Sequence, residues 1–320
     1  MKVLITGGAG YIGSVLTGAL LDKEHEVTVL DNLMYNQTSL HIYSHYKTFN
    51  FVFGDVRDTD LLTKLVEESD LIIPLAAIVG FPACDREPEL AEMVNYQHVK
   101  RIAELVRGTN KKIIYPNTNS GYGIGGESVS TEESPLRPIS HYGKTKAKAE
   151  KQVLSAGGVS LRLATVFGTS PRMRMDLLVN EFVYKALTDK YITLFEKTFV
   201  RNYIHIQDVV SAFLHILDLY QFTKGQVYNV GLSDANLTKE ELCERIKEQI
   251  PSFTIFSDES FEDPDKRNYV VSNEKIEETG WKPKYTLDDG IEELIKTYSI
   301  LIKDLSSGYR NDFPLSYGVK

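Results

Sequence analysis

The 320-residue chain contains two cysteines, Cys84 and Cys243. That is too few for a disulfide framework or a cysteine-built metal site. Positive charge is also in deficit: 36 Lys and Arg against 44 Asp and Glu leave a net charge of −8 and a pI near 5.5. A nucleic-acid binder would carry a basic stripe, and a protein lying on an anionic membrane a basic face, so neither partner is expected. No apolar run approaches the roughly 20 residues of a transmembrane helix. The opening Met1–Gly7 stretch turns glycine-rich before a signal-peptide core can form, which predicts a cytoplasmic protein. Repeats and low-complexity tracts are absent, and no His, Asp and Glu cluster points to a metal.

What is present, 42% apolar and 25% charged residues, is the balance of an ordinary soluble globular protein. Apolar runs at Val3–Thr6, Val27–Leu30, Phe51–Phe53, Leu71–Ala76, Lys111–Tyr115 and Ser160–Ala164 alternate with segments of helical period. This rhythm predicts an α/β fold, a Rossmann-type doubly wound parallel sheet whose strands are apolar because both faces are covered. Beyond Gly168 the rhythm breaks into a helical Leu177–Leu187 and a short strand near Ile192–Phe195. Val200–Ile206 and a helix at Val209–Leu219 read as a return to the sheet. Two helices, a Pro/Asp-rich loop at Asp258–Asp265 and an amphipathic helix at Ile291–Ile302 follow. The expected division is a dinucleotide-binding domain, 1–168 rejoined by 200–230, and a smaller C-terminal α/β substrate lobe from 169–199 and 231–305. An extended tail, 306–320, closes the chain. Ligands of such sheets sit at the carboxyl ends of the strands, so the chemistry is sought just after each run.

The first strand runs directly into Thr6-Gly7-Gly8-Ala9-Gly10-Tyr11-Ile12-Gly13, which then opens a helix. Glycines there permit a tight turn and a close approach of a pyrophosphate to backbone amides at the helix start. Gly7, Gly10, Tyr11, Ile12 and Gly13 are the cofactor-binding candidates of this turn. Asp31 ends the second strand, where a carboxylate accepts hydrogen bonds from an adenosine ribose diol and repels a 2′-phosphate. Asn32 follows it instead of a basic residue, which favours NAD over NADP. Asp55 and Val56 stand where an adenine edge would lie, although Asp55 or Asp58 would equally serve as a helix N-cap. Leu75, Ala76 and Ala77 supply small residues where backbone passes close to a cofactor, or pack helix on sheet.

Tyr142 and Lys146 are four apart in a segment of helix formers and share a face. The same spacing occurs at Tyr43/Lys47, Tyr96/Lys100 and Tyr220/Lys224. Tyr142 is singled out by its place after Thr118, which sits just past the strand Lys111–Tyr115. A phenol near pKa 10 becomes a useful base only when a cation such as the Lys146 ammonium favours phenolate. Thr118 would hydrogen-bond the reacting hydroxyl.

Thr6–Gly13, Asp31, Gly54-Asp55, Leu75-Ala76-Ala77, Thr118, Tyr122-Gly123 and Tyr142-Gly143-Lys144-Thr145-Lys146 resemble the extended short-chain dehydrogenase/reductases. In particular they resemble the NAD-dependent nucleotide-sugar epimerase/dehydratase family, a likeness that continues through Leu161-Arg162-Leu163 and Arg201–Asp208. The resemblance implies that Thr118, Tyr142 and Lys146 are catalytic, with oxidation at the sugar 4-hydroxyl in the biosynthesis of surface-glycan sugars. It also implies a homodimer paired through Glu92–Arg107 and Tyr142–Ser155. Family dehydratases place an Asp-Glu pair directly after the threonine, and sugar-acid decarboxylases a Glu two residues on. Here Asn119 and Ser120 occupy those positions, as substrate-facing candidates, so a 4-epimerase or 4-dehydrogenase is expected. The alternatives are a dehydratase and an NAD-binding redox sensor without turnover. Arg201 and Arg267 match family positions that contact the substrate diphosphate or nucleoside. Arg172 and Arg174 fall near the expected sugar site, and Asn180 matches a substrate-contacting asparagine.

Overall fold

In the computed structural model, which describes residues 1–124, 129–258 and 267–301, the apolar runs become parallel strands. They are β1 (Lys2–Thr6), β2 (Glu26–Asp31), β3 (Phe49–Phe53), β4 (Leu71–Pro74), β5 (Lys112–Thr118) and β6 (Val159–Leu163). Later come β7 (Thr165–Phe167), β8 (Tyr191–Leu194), β9 (Val200–His205), β10 (Val227–Val230), β11 (Asn236–Thr238) and β12 (Thr254–Ser257). Seven of them form one parallel sheet in the order β10-β6-β5-β4-β1-β2-β3. Strand order reverses at β1, where the chain winds first toward β3 and then back past it through β4. Such a reversal opens a crevice at the carboxyl ends.

Helices cover both faces. They are α1 (Tyr11–Asp22), α2 (Thr59–Glu67), α3 (Phe81–Arg86), α4 (Pro88–Glu92), α5 (His98–Val106), α6 (His141–Ser155) and α7 (Leu178–Thr188). The remainder are α8 (Ile206–Asp218), α9 (Tyr220–Thr223), α10 (Lys239–Gln249), α11 (Glu274–Glu277) and α12 (Leu287–Leu301). Because side chains alternate along a strand, β1 sends Val3 and Ile5 into the core shared with α1 and α8. Leu4 goes to the opposite core, with residues of α2, α5 and α6. Both sets are almost wholly buried, which is why the run reads as uninterrupted apolar sequence.

Val200–Ile206 departs from its expected place. β9 pairs with β7 in parallel and with β11 antiparallel, in a separate three-stranded sheet, and β8 pairs with β12. What does lie on the main sheet is α8, packed on α1, and β10, added beside β6. The 306–320 tail and most of the Asp258–Asp265 loop lie outside the described residues. Among the described residues no helix is long and apolar enough to cross a membrane.

Candidate active site

At the carboxyl ends of the central strands lies a cavity of about 1010 Å³. Its floor on one side is the β1–α1 turn. Gly7 has φ +73°, and a Cβ there would sit 2.5 Å from the Ala76 backbone nitrogen, so the turn passes the end of β4 only as glycine. A Cβ on Gly13 would lie 2.6 Å from Gly8 Cα. Gly7, Gly10, Tyr11, Ile12 and Gly13 all line the cavity, and Gly10 caps α1 without a side chain. The leading amides of the helix are thus available to an anion at that wall, a fit for a dinucleotide pyrophosphate.

Asp31 fits the same group. Its carboxylate accepts from Ala9 N at 3.0 Å and Leu33 N at 2.8 Å and lines the cavity, while burial pushes its pKa up. Asn32 donates to Asp55 Oδ2 at 3.0 Å. Burial would raise the Asp55 carboxyl, but a bidentate pair with Arg57 outweighs that and holds it at about 2. Of the two possible helix caps, Asp58 takes the task, accepting from Asp60 N and Leu61 N. Asp55 is left on the cavity wall with Val56, Leu75, Ala76 and Ala77.

The opposite wall carries the candidate catalytic side chains. Thr118 ends β5, and its Oγ1 donates to Ser120 Oγ at 2.9 Å. Arg267 Nη1 donates to the same Ser120 Oγ. Ser140 caps α6 by accepting from Gly143 N, which sets Tyr142 and Lys146 one turn apart on the cavity side. Lys146 is 4% exposed, with Nζ 4.1 Å from the centroid of the Tyr115 ring. Burial pushes Lys146 down to about 7, against the opposing field of Glu150. Burial also pushes the Tyr142 phenol up, with Arg267 and Arg174 opposing. The expected depression of Tyr142 by the Lys146 ammonium is therefore not a property of the chain alone, because desolvation of both groups is the larger effect.

That shift has a sign for stability. Between about pH 7 and 10.5 unfolded Lys146 binds the proton that folded Lys146 has released, so this group adds stability as pH rises through the window. Cofactor-free protein should thus gain on a Lys146→Met variant by about 2 kcal/mol between pH 7 and 9, measured by denaturant unfolding at each pH. A stability difference that stays flat with pH would refute it.

The remaining candidates separate. Ser120, Arg172, Arg174, Arg201 and Arg267 line the cavity; Asn119 and Asn180 do not. Asn119 is 1% exposed with neither amide atom hydrogen-bonded. Asn180 is fully buried, donating to Arg174 O and accepting from Gly168 N, which makes it a lock on the 168–176 loop. Arg174 pairs with Asp176, and the Arg172 guanidinium lies over the Tyr35 ring. Neither the Asn119 nor the Ser120 side chain supplies a carboxylate beside Thr118.

Two supports escaped the pattern of the sequence. Asn95, in a π-turn at Met93–Gln97, accepts from Ile78 N at 2.8 Å and donates to Ile78 O and Thr145 Oγ1. It joins the loop after β4 to the helix of Lys146, and nothing around it in sequence marks it. Glu150 accepts from Asn117 Nδ2 at 2.6 Å and from Arg162 at 2.7 Å, and Asn117 Oδ1 accepts from Thr118 N. Its signal was legible, since Tyr142, Lys146 and Glu150 repeat every four residues on one helix face. Among the described residues no group of three or more His, Cys, Asp or Glu could hold a metal.

Residues 3–231 match the model of the NAD dependent epimerase/dehydratase family. A low-salt glycan biosynthesis protein of Haloferax volcanii is 28% identical, covering 93% of this chain and 98% of its own. A UDP-glucose 4-epimerase of Lactobacillus helveticus is also 28% identical, covering 97% and 100%. Among solved structures, the UDP-glucuronic acid 4-epimerase of Bacillus cereus, in complex with UDP-glucuronic acid and NAD, superposes with TM-score 0.80 at 27% identity, covering 94% and 100%. The dTDP-glucose 4,6-dehydratase of Bacillus anthracis, in complex with NAD, does so with TM-score 0.80 at 26% identity, covering 95% and 98%. With the glycine turn, Asp31 and the Thr118/Tyr142/Lys146 wall on one cavity, the chain belongs to the NAD-dependent epimerase/dehydratase family.

Proposed function

We propose that this chain is an NAD-dependent nucleotide-sugar oxidoreductase that forms a 4-keto sugar, acting as a 4-epimerase or a 4-dehydrogenase in glycan-sugar biosynthesis. The observation that carries the reading is the meeting of Thr118, Tyr142 and Lys146 with the glycine turn and Asp31 on one cavity, without a carboxylate at 119 or 120. Bound NAD supplies the hydride acceptor and a positive ring. The chain supplies the rest: Gly7–Gly13 and the α1 amides for the pyrophosphate, Asp31 for the ribose diol, Asp55 and Val56 for the adenine edge. Thr118 orients the sugar 4-hydroxyl and Tyr142 Oη accepts its proton. Lys146 contributes, with the positive ring of bound NAD, the cation that favours phenolate. Arg201 and Arg267 offer guanidinium forks to the substrate diphosphate in a protein of net charge −8. Elimination of water needs an acid–base pair next to Thr118, which Asn119 and Ser120 do not provide, so the dehydratase reading is the weaker one.

The protein is further read as a cytoplasmic homodimer formed through α5 and α6, which light scattering would measure. The deciding experiment incubates it with GDP-, UDP- and dTDP-sugars and follows product NMR and the NADH absorbance band. An isomer of unchanged mass identifies the epimerase, and a 4-keto product with accumulating NADH the dehydrogenase. A 6-deoxy product would establish the dehydratase instead. Binding of NAD without turnover of any sugar would leave the redox sensor.

A further inference from the structure

We propose that Arg172, seated on Tyr35, closes over the pyrophosphate and adenosine ribose of the dinucleotide, so that the 168–176 loop is a cofactor clamp and not a sugar contact. The proposal rests on the dinucleotide reading above. Its basis is where the loop is fastened. Tyr11 Oη donates to Gly168 O at 2.8 Å, Ser170 Oγ donates to Tyr11 O at 2.7 Å, and Ser170 and Ser14 hydroxyls meet at 3.0 Å. The Arg172 amide in turn donates to Ser170 Oγ. The three bonds to Tyr11 and Ser14 tie the loop to the first turn of α1, the wall whose amides suit a pyrophosphate, and the fourth holds Arg172 to Ser170 within the loop. From behind, Asn180 holds Gly168 and Arg174, and Thr169 donates to Glu293 of α12. The loop is buried from Ser170 through Met175 apart from Pro171.

The guanidinium is thereby delivered to the adenosine side. It lines the cavity at 3% exposure, 5.2 Å from the centroid of Tyr35. Tyr35 belongs to the loop after β2, whose Gln37 accepts from Tyr35 N and donates to Asp31 Oδ1. Arg172 thus spans from the helix start toward the carboxylate assigned to the ribose. Arg174, two residues on, commits its charge to Asp176. Burial and Arg174 push Arg172 down to about 10, still protonated at neutral pH, and a diphosphate would compensate both. Because the loop belongs to the second half of the chain and grips α1, the clamp would retard departure of the dinucleotide. Slow release and cofactor that survives purification follow.

The test titrates wild type, Arg172→Gln and Tyr35→Leu with NADH and ADP-ribose by fluorescence and calorimetry, and separately with UDP and GDP. Bound dinucleotide is assayed in each purified protein. The clamp predicts NADH and ADP-ribose affinities weakened about 30-fold in Arg172→Gln and about 5-fold in Tyr35→Leu, with UDP and GDP within twofold of wild type. Unchanged NADH affinity, or loss of UDP or GDP binding with NADH retained, overturns it and returns Arg172 to the substrate. If Arg172→Gln does not fold, Tyr35→Leu decides by the same two titrations. Wild type that carries no dinucleotide after purification and binds neither NADH nor ADP-ribose would refute the dinucleotide reading itself, a failure distinct from that of the clamp.

Discussion

Tyr142→Phe should lower turnover of the 4-keto-forming reaction by roughly 10²–10⁴-fold while leaving NADH affinity within about threefold. The substitution deletes one oxygen from a half-buried side chain on the first turn of α6 and keeps the ring that packs against the core. No hydrogen bond to a described residue contributes to the state of that oxygen, so removing it strands no partner and folding should be unaffected. The lost function is acceptance of the hydroxyl proton at the phenol oxygen, a position Lys146, one turn further along α6, does not occupy. Steady-state kinetics with the active sugar from the panel, alongside NADH titration, checks it. Full activity in the variant would remove Tyr142 from the chemistry and with it the proposed mechanism.

Arg162→Met should destabilise the fold by about 3–5 kcal/mol, because it leaves the Glu150 carboxylate buried without its cation. Arg162 and Glu150 are 2.7 Å apart with side-chain exposures of 6% and 4%. Glu150 also receives Asn117 and Ser160, and Arg162 donates to Tyr122 Oη and Glu132 O. The double variant Arg162→Met/Glu150→Gln, which removes both charges, should recover more than half of the loss in urea unfolding. Burial raises the Glu150 carboxyl, but the Arg162 hydrogen bonds outweigh it and leave its pKa lowered. The pair's contribution is accordingly full above the usual carboxylate range and fades as pH falls below it. Because Asn117 holds Thr118 N while Glu150 lies one turn past Lys146, the single variant should also slow turnover. A purely additive double variant would deny the coupling.

Much of this fold is legible in the sequence. The parallel strands up to Ser160–Ala164 announced themselves as doubly buried apolar runs, and the glycine turn with Asp31 after it announced the nucleotide wall. These signals are local: a run, a turn and a strand end each lie within a dozen residues. Tyr142 and Lys146 were legible once the strand before Thr118 was placed. Val200–Ile206 joins β7 and β11 instead of the seven-stranded sheet, and an apolar strand carries no mark in sequence of which sheet receives it. Asn180, a candidate substrate contact in the sequence, bonds Gly168 N and Arg174 O in the structure, partners that no sequence window reveals.

The sequence by itself determined the fold class, the glycine turn, the candidate trio Thr118, Tyr142 and Lys146, and the lack of a carboxylate beside Thr118, because each is written in neighbouring residues. Tertiary structure alone decided the state and company of those groups. Burial drives Lys146 down and Tyr142 up, Glu150 finds Arg162, and Arg172 is carried to the start of α1 by a bond between Tyr11 and Gly168, separated by 157 positions. Desolvation and long-range contacts belong to the packed chain, and no window of sequence contains both partners.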